Sequence, residues 1–289
     1  MKLRTATLAL FACTATALVG VAASTAPDPL APAVLVDEDE EEDDEPAPPT
    51  KEEVEAAVER LEEGLESDDF EARVAALVEA RQVQHDDVAK EVAKAVKDDA
   101  KEVRLACVTS LGYLRVPYAL KTLHKWSSKK SMLEDNAFAK ELFKAIGRHQ
   151  DKKSLKYLED GAVNAPRDVF EARVLAMGKI PHMDAVEEII SIMNKLRANE
   201  GGRGRKDERE ENVKNMDVIQ LALNHLTGAD EGTDRRAWQK WWNNNKRDIE
   251  IDPEEMPIMT RNLENKWRAY WNEPKERERG QDRDEGRGR

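Results

Sequence analysis

Glu71-Ala72-Arg73-Val74-Ala75-Ala76 and Glu102-Val103-Arg104-Leu105-Ala106-Cys107 write one pattern twice, 31 residues apart. The helix-start signals shift with them. Asp68 with Glu71 becomes Asp99 with Glu102, both in the D-x-x-E spacing that predicts a capping box. Further units align on Gly112, Gly147 and Gly178. Seven, eight and eleven residues beyond these come Ala119, Leu120, Leu123; Ser154, Leu155, Leu158; and Ala185, Val186, Ile189. In the first unit Arg81 holds the glycine position, followed by Val88, Ala89 and Val92. Each unit therefore reads as a helix, a short turn near the glycine, and a second helix. The small residue at the seventh offset lets helices approach, and the larger apolar residues lie on one helical face. One such pair cannot bury its apolar face alone, so neighbours must stack.

In this register the units resemble HEAT repeats in their short bacterial form, with a D-x-x-V/A-R-x-A-A start. The resemblance spans about residues 68–197 as four units, with a divergent fifth from about residue 212. It implies an all-α fold, a right-handed α-solenoid of about five HEAT-like helix pairs. It is specific for fold and weak for function, because this architecture serves many roles. Leu226-Thr227-Gly228-Ala229-Asp230, then Asp234, Trp238, Trp241, Trp242 and Asn243, are similar to the L-T-G…W-x-x-W-W element that ends many exported bacterial proteins of this family.

Outward from the repeats, Thr50-Lys51-Glu52-Glu53 matches a capping box. Val54, Ala57, Val58, Leu61 and Leu65 follow at helical spacing and predict an N-terminal capping helix. Six prolines and nine consecutive acids, Asp37 to Glu45, mark residues 24–49 as a disordered linker. Ten of the 59 acids and two of the 46 bases precede residue 46, which leaves 49 acids and 44 bases. The folded part is thus nearly balanced, unlike a general nucleic-acid binder. Lys2 and Arg4 before the apolar stretch Leu8–Val21 read as a signal peptide, 1–23, cleaved after Ala23. That stretch is shorter than a spanning helix needs, and an uncleaved anchor is the alternative. Cleavage removes Cys13 and leaves Cys107 among apolar neighbours, as a small core residue. The expected division is a solenoid over 50–247, an aromatic cap over 248–272 and a disordered charged tail over 273–289. A flexible insertion, Glu200 to Glu211, includes the glycine- and arginine-containing run Gly201–Lys206.

Two features are candidates for binding. The first is a basic ridge on the second helices of units two and three. Lys121, Lys125, Lys129 and Lys130 align with Lys152, Lys153 and Lys156, with Tyr118, Trp126 and Tyr157 among them. In HEAT solenoids the second helices usually line the concave surface. The ridge then forms a groove for an acidic protein partner, with Asp37–Glu45 as a candidate intramolecular mask. An ordinary solvated lysine face is the bland reading. The partner-binding set is Tyr118, Lys121, Lys125, Trp126, Lys152, Lys153 and Lys156. The second feature is a pair of aromatic sets, Trp238, Trp241, Trp242 and Trp267, Tyr270, Trp271, each on one helical face. Packing inward at the end of the core is the expected role, and a sugar or peptide platform is the alternative.

The five histidines include none followed by glutamate, and His85-Asp86-Asp87 more naturally starts a helix than ligates a metal. No G-x-S-x-G, phosphate-binding loop, H-E-x-x-H or Cys-x-x-Cys is present. The expectation is a non-enzymatic scaffold, without metal or cofactor, exported to the periplasm or secreted. It binds a protein rather than nucleic acid and keeps no membrane span after processing. Carbohydrate or envelope-polymer binding, and an enzyme on a HEAT fold such as a DNA glycosylase or bilin lyase, are the alternatives.

Overall fold

The structure is a computed structural model that describes residues 47–199 and 206–272, with side chains 197–214 left aside. The expected signal peptide, nearly all of the acidic linker, residues 200–205 of the insertion and the charged tail lie outside the described residues. Within them the fold is all-α: α1 (Lys51–Leu65), α2 (Phe70–Glu79), α3 (Asp86–Lys94), α4 (Lys101–Tyr113), α5 (Pro117–Ser127), α6 (Asn136–Arg148), α7 (Leu155–Glu159), α8 (Arg167–Gly178), α9 (Met183–Asn199), α10 (Lys206–Thr227), α11 (Arg235–Asn245) and α12 (Arg261–Trp271). No strand occurs among the described residues. The first helices pack on one another in succession, α2 on α4, α4 on α6, α6 on α8 and α8 on α10. Among the second helices, α3 packs on α5, α7 on α9 and α9 on α11. At the N-terminal end α1 packs on both α2 and α3.

The apolar register explains this packing. Of the twelve residues at the seventh, eighth and eleventh offsets, all but Leu120 are buried. Thr50 and Glu53 form the capping box that starts α1. Cys107 is fully buried and its Sγ lies 3.1 Å from the Val92 carbonyl; burial pushes its thiol pKa up, which keeps it protonated and inert.

The aligned glycines act by close approach rather than by a turn. A Cβ on Gly112 would lie 2.7 Å from Ala145 Cα; on Gly147, 2.8 Å from Ala176 Cα; on Gly178, 3.0 Å from Ala222 Cα. Each glycine thus seats an alanine of the next first helix, backbone to backbone. Arg81 in the first unit cannot do this. Ser110 stands opposite it instead of alanine, receives a hydrogen bond from Arg81 Nε at 3.0 Å, and donates to the Leu77 carbonyl at 2.7 Å.

Three expectations need correction. Asp69, not Asp68, caps α2, and Ala100 precedes α4 without a side-chain cap. The reason is competition: Asp99 Oδ1 accepts from Arg73 Nη2 at 3.1 Å and from the Ala100 N–H at 2.9 Å instead of from the first turn of α4. Asp98 turns back to Arg73 in a two-pronged pair, both distances 3.0 Å, while its Oδ1 also takes the Ala100 N–H. Partial burial pulls the Asp98 pKa up, but the Arg73 guanidinium and the Ala100 N–H outweigh it and hold it low. The repeated arginine is therefore a clamp on the preceding turn. Arg73 donates to the carbonyls of Ser67 and Asp68, Arg104 to those of Asp98 and Asp99, and Arg173 to those of Tyr157, Leu158 and Asp160. Second, α10 begins at Lys206, so the later half of the expected insertion is helical. Third, α12 does not sit beyond α11. It lies against α10, with the Trp271 ring over Gly147 of α6 and the Trp267 ring over Gly178 of α8. Indoles need flat beds, and the glycines of the first helices provide them.

Candidate functional site

The predicted ridge lies on α5, α7 and the short turn Lys152–Ser154 before α7. Pro117 at the first position of α5 fixes its start, and Asp86 Oδ1 accepts the Tyr118 N–H at 3.0 Å, which ties α5 to α3. His124 couples α5 to α7. Its ring stacks on Tyr157 at 4.0 Å and its Nε2 lies 2.9 Å from Ser154 Oγ. Burial lowers the His124 pKa to about 4, so the imidazole is neutral at pH 7 and serves as a packing and hydrogen-bonding plate.

Lys121, Lys125, Lys152, Lys153 and Lys156 are all exposed around this junction. They differ in what engages them. Lys152 Nζ pairs with Asp184 Oδ2 at 2.8 Å and also meets His182 Nε2 at 3.2 Å, so it links the turn to the start of α9. Lys156 Nζ sits over the Tyr157 ring, 4.8 Å from its centre. Lys121, Lys125 and Lys153 make no ion pair among the described residues, and their charges face solvent. Tyr118 is half-buried, with Lys90 Nζ 5.9 Å from its ring centre.

Trp126 leaves the set. It is 6% exposed and packs beside Phe138 of α6 at 6.5 Å. Ala119, Leu123 and Trp126 fall at i, i+4 and i+7, so the helix turns its indole inward with them while Lys121 and Lys125 point away. That signal was readable in the sequence.

The two aromatic sets also turn inward. Trp238, Trp242, Trp267 and Trp271 are buried, and Trp241 and Tyr270 are half-buried. Trp238 Nε1 donates to the Gly232 carbonyl at 2.8 Å, and Asp234 caps α11. The L-T-G segment makes the preceding turn: Gly228 has φ +70°, and Thr227 Oγ1 accepts the Ala229 N–H at 3.2 Å. The W-x-x-W-W element is therefore the anchor of α11. The Trp267 ring stacks on His225 at 3.9 Å.

A feature the ridge argument missed runs along the ends of the first helices. Tyr113 lies between the guanidinium of Arg81, 4.8 Å from its ring centre, and that of Arg148 at 4.7 Å. Beyond Arg148 come the Trp271 ring at 5.9 Å and Lys179 above it at 5.0 Å. Tyr113, Arg148 and Lys179 each directly follow an aligned glycine, and that shared position was the available signal. An open cleft of about 800 Å³ lies between α9 and α11, lined by Asn194, Gln239, Asn243, Asn244, Arg236 and Lys240.

Among the described residues no three of histidine, cysteine, aspartate and glutamate converge as metal ligands. No described helix is long and apolar enough to cross a membrane. No protein-family model matches the chain, and no curated protein matches it.

Proposed function

We propose that this protein is a non-enzymatic binding scaffold, a HEAT-type α-solenoid of about five helix pairs that acts in the bacterial envelope or outside the cell. The observation that carries the reading is the ridge on α5 and α7. Exposed lysines without acidic partners stand on two helices fixed to each other by His124, Tyr157 and Ser154. Such a surface is preorganised, so an acidic segment binds without first ordering it. Tyr118, Lys121, Lys125, Lys153 and Lys156 form the contact set, with Lys152 held in reserve by Asp184. The partner is a protein segment rich in aspartate and glutamate. Export rests on Lys2, Arg4 and the apolar Leu8–Val21 stretch.

The test uses a labelled synthetic peptide of residues 37–45, an acidic probe of defined sequence, and fluorescence anisotropy with the full chain. Saturable binding that weakens about tenfold or more with the triple change Lys121→Glu, Lys125→Glu, Lys156→Glu supports the ridge. Equal binding by the triple variant sinks it. A second reading, recognition of a polar envelope polymer, is favoured by the carboxamide-rich cleft between α9 and α11. Loss of polymer binding in Gln239→Ala with Asn243→Ala would favour it over the ridge.

A further inference from the structure

On α2, Phe70, Val74 and Val78 fall at i, i+4 and i+8 and share one side of the helix. Phe70 is 42% exposed, Val78 44%, and Tyr113 of α4 41%. Only Ile258 among the other large apolar residues described is as exposed. The stripe runs onto Tyr113 through Arg81, one turn beyond Val78. This is the α2–α4 stretch of the first-helix surface that α12 covers over α6, α8 and α10. Among the described residues nothing covers it here.

The charges along this stretch are sorted by end. α2 and α4 run in the same direction, because Arg73 meets Asp98 near their starts while Arg81 meets Ser110 and Tyr113 near their ends. Exposed Glu71 and Glu102 stand at the starts. Arg81 stands beside Tyr113 at the ends, where exposed Glu79 is already paired with Arg60 at 3.3 Å; Arg148, on the other side of Tyr113, is only 7% exposed and keeps its charge inside the fold. Lys101, also at the start of α4, is already paired with Asp135 at 3.1 Å and does not cancel the acidic end.

We propose that this surface is a homodimer interface, closed by the same surface of a second copy in antiparallel register. A two-fold axis lying in the interface and perpendicular to α2 turns one copy end for end. It brings the Glu71–Glu102 end of each copy onto the Arg81 end of the other, twice over, and lays the Phe70–Val74–Val78 stripes and Tyr113 rings against each other. A surface with an apolar centre and opposite charges at its two ends is self-complementary in that arrangement alone; the parallel one sets like charges together. Exposed apolar side chains grouped with charged edges are the usual mark of such a contact.

Sedimentation equilibrium of the full chain tests this over concentrations from about 1 to 200 µM. The expected weight-average mass rises from 32.7 kDa toward twice that value. Val78→Glu, at an exposed position that leaves the core untouched, should hold the chain at monomer mass with unchanged circular dichroism. Glu71→Arg with Glu102→Arg should weaken self-association at least tenfold, as should Arg81→Glu. Mixing those two variants should restore a dimer, because each then presents the charge the other lacks. A chain that stays monomeric throughout, a Val78→Glu dimer as tight as the parent, or a mixture no tighter than its components overturns the proposal.

Discussion

Replacing Gly147 by alanine tests the packing logic of the first helices most directly. The added Cβ would stand 2.8 Å from Ala176 Cα, 2.7 Å from Ala176 Cβ and 3.1 Å from Cη2 of Trp271. Ordinary contact begins near 3.4 Å. Helices α6 and α8 must therefore separate by about 0.6 Å, and a gap of that size forfeits roughly a quarter of each dispersion contact across the seam. Overpacking of this kind costs about 1–3 kcal/mol. The gain in helix propensity from glycine to alanine is at most about 1 kcal/mol and smaller near a helix end. The net expectation is a loss of about 1–2 kcal/mol, which for a folded body of this size lowers Tm by roughly 2–8 °C. Urea titration followed by circular dichroism should show a lower midpoint with an unchanged m-value. Trp271 should lose part of its cover, with a red-shifted emission. The pair Gly147→Ala, Ala176→Gly should recover only part of the loss, because the Ala176 Cα remains in the way. A Gly147→Ala protein as stable as the parent, or more so, would show that the two helices do not meet as described.

Arg173 is 4% exposed, lies 3.7 Å over the Phe143 ring and holds three carbonyls, while burial lowers its pKa to about 10. Arg173→Met should cost about 2–4 kcal/mol in chemical denaturation, and a loss under 1 kcal/mol would refute the clamp. His225 gives a pH signature. Burial, then Lys179, lowers its pKa from 6.5 to about 4, so the unfolded chain binds the proton first as pH falls. Stability from this group is full above pH 6.5 and is lost progressively down to about pH 4, by up to about 3 kcal/mol. His124 acts in the same direction. His225→Gln should flatten the Tm profile between pH 6.5 and 4; a profile as steep as the parent's would remove His225 as the source. Iodide should quench little of the tryptophan emission, since four of the five indoles in the aromatic sets are buried, Trp241 is half-buried and Trp126 is buried too; extensive quenching would contradict that packing.

The sequence alone determined where the helices lie and which faces they bury. A periodic apolar pattern states which side of a helix leaves water, and the Arg81, Gly112, Gly147 and Gly178 register placed the buried second-helix residues almost without error. It also held the signal that turns Trp126 inward, because Ala119, Leu123 and Trp126 share a face. Tertiary structure decided what periodicity cannot encode. Asp99 could cap α4 or meet Arg73, and only the approach of α2 to α4 selects Arg73. The indoles of α12 could cover any apolar surface. Their seat on Gly147 and Gly178 depends on two helices close enough to leave a flat bed, which no spacing within α12 specifies. The line of Arg81, Tyr113, Arg148 and Trp271 joins residues tens to more than a hundred positions apart. Its charges and rings meet because successive first helices end side by side, and that is a property of packing, not of any segment read singly.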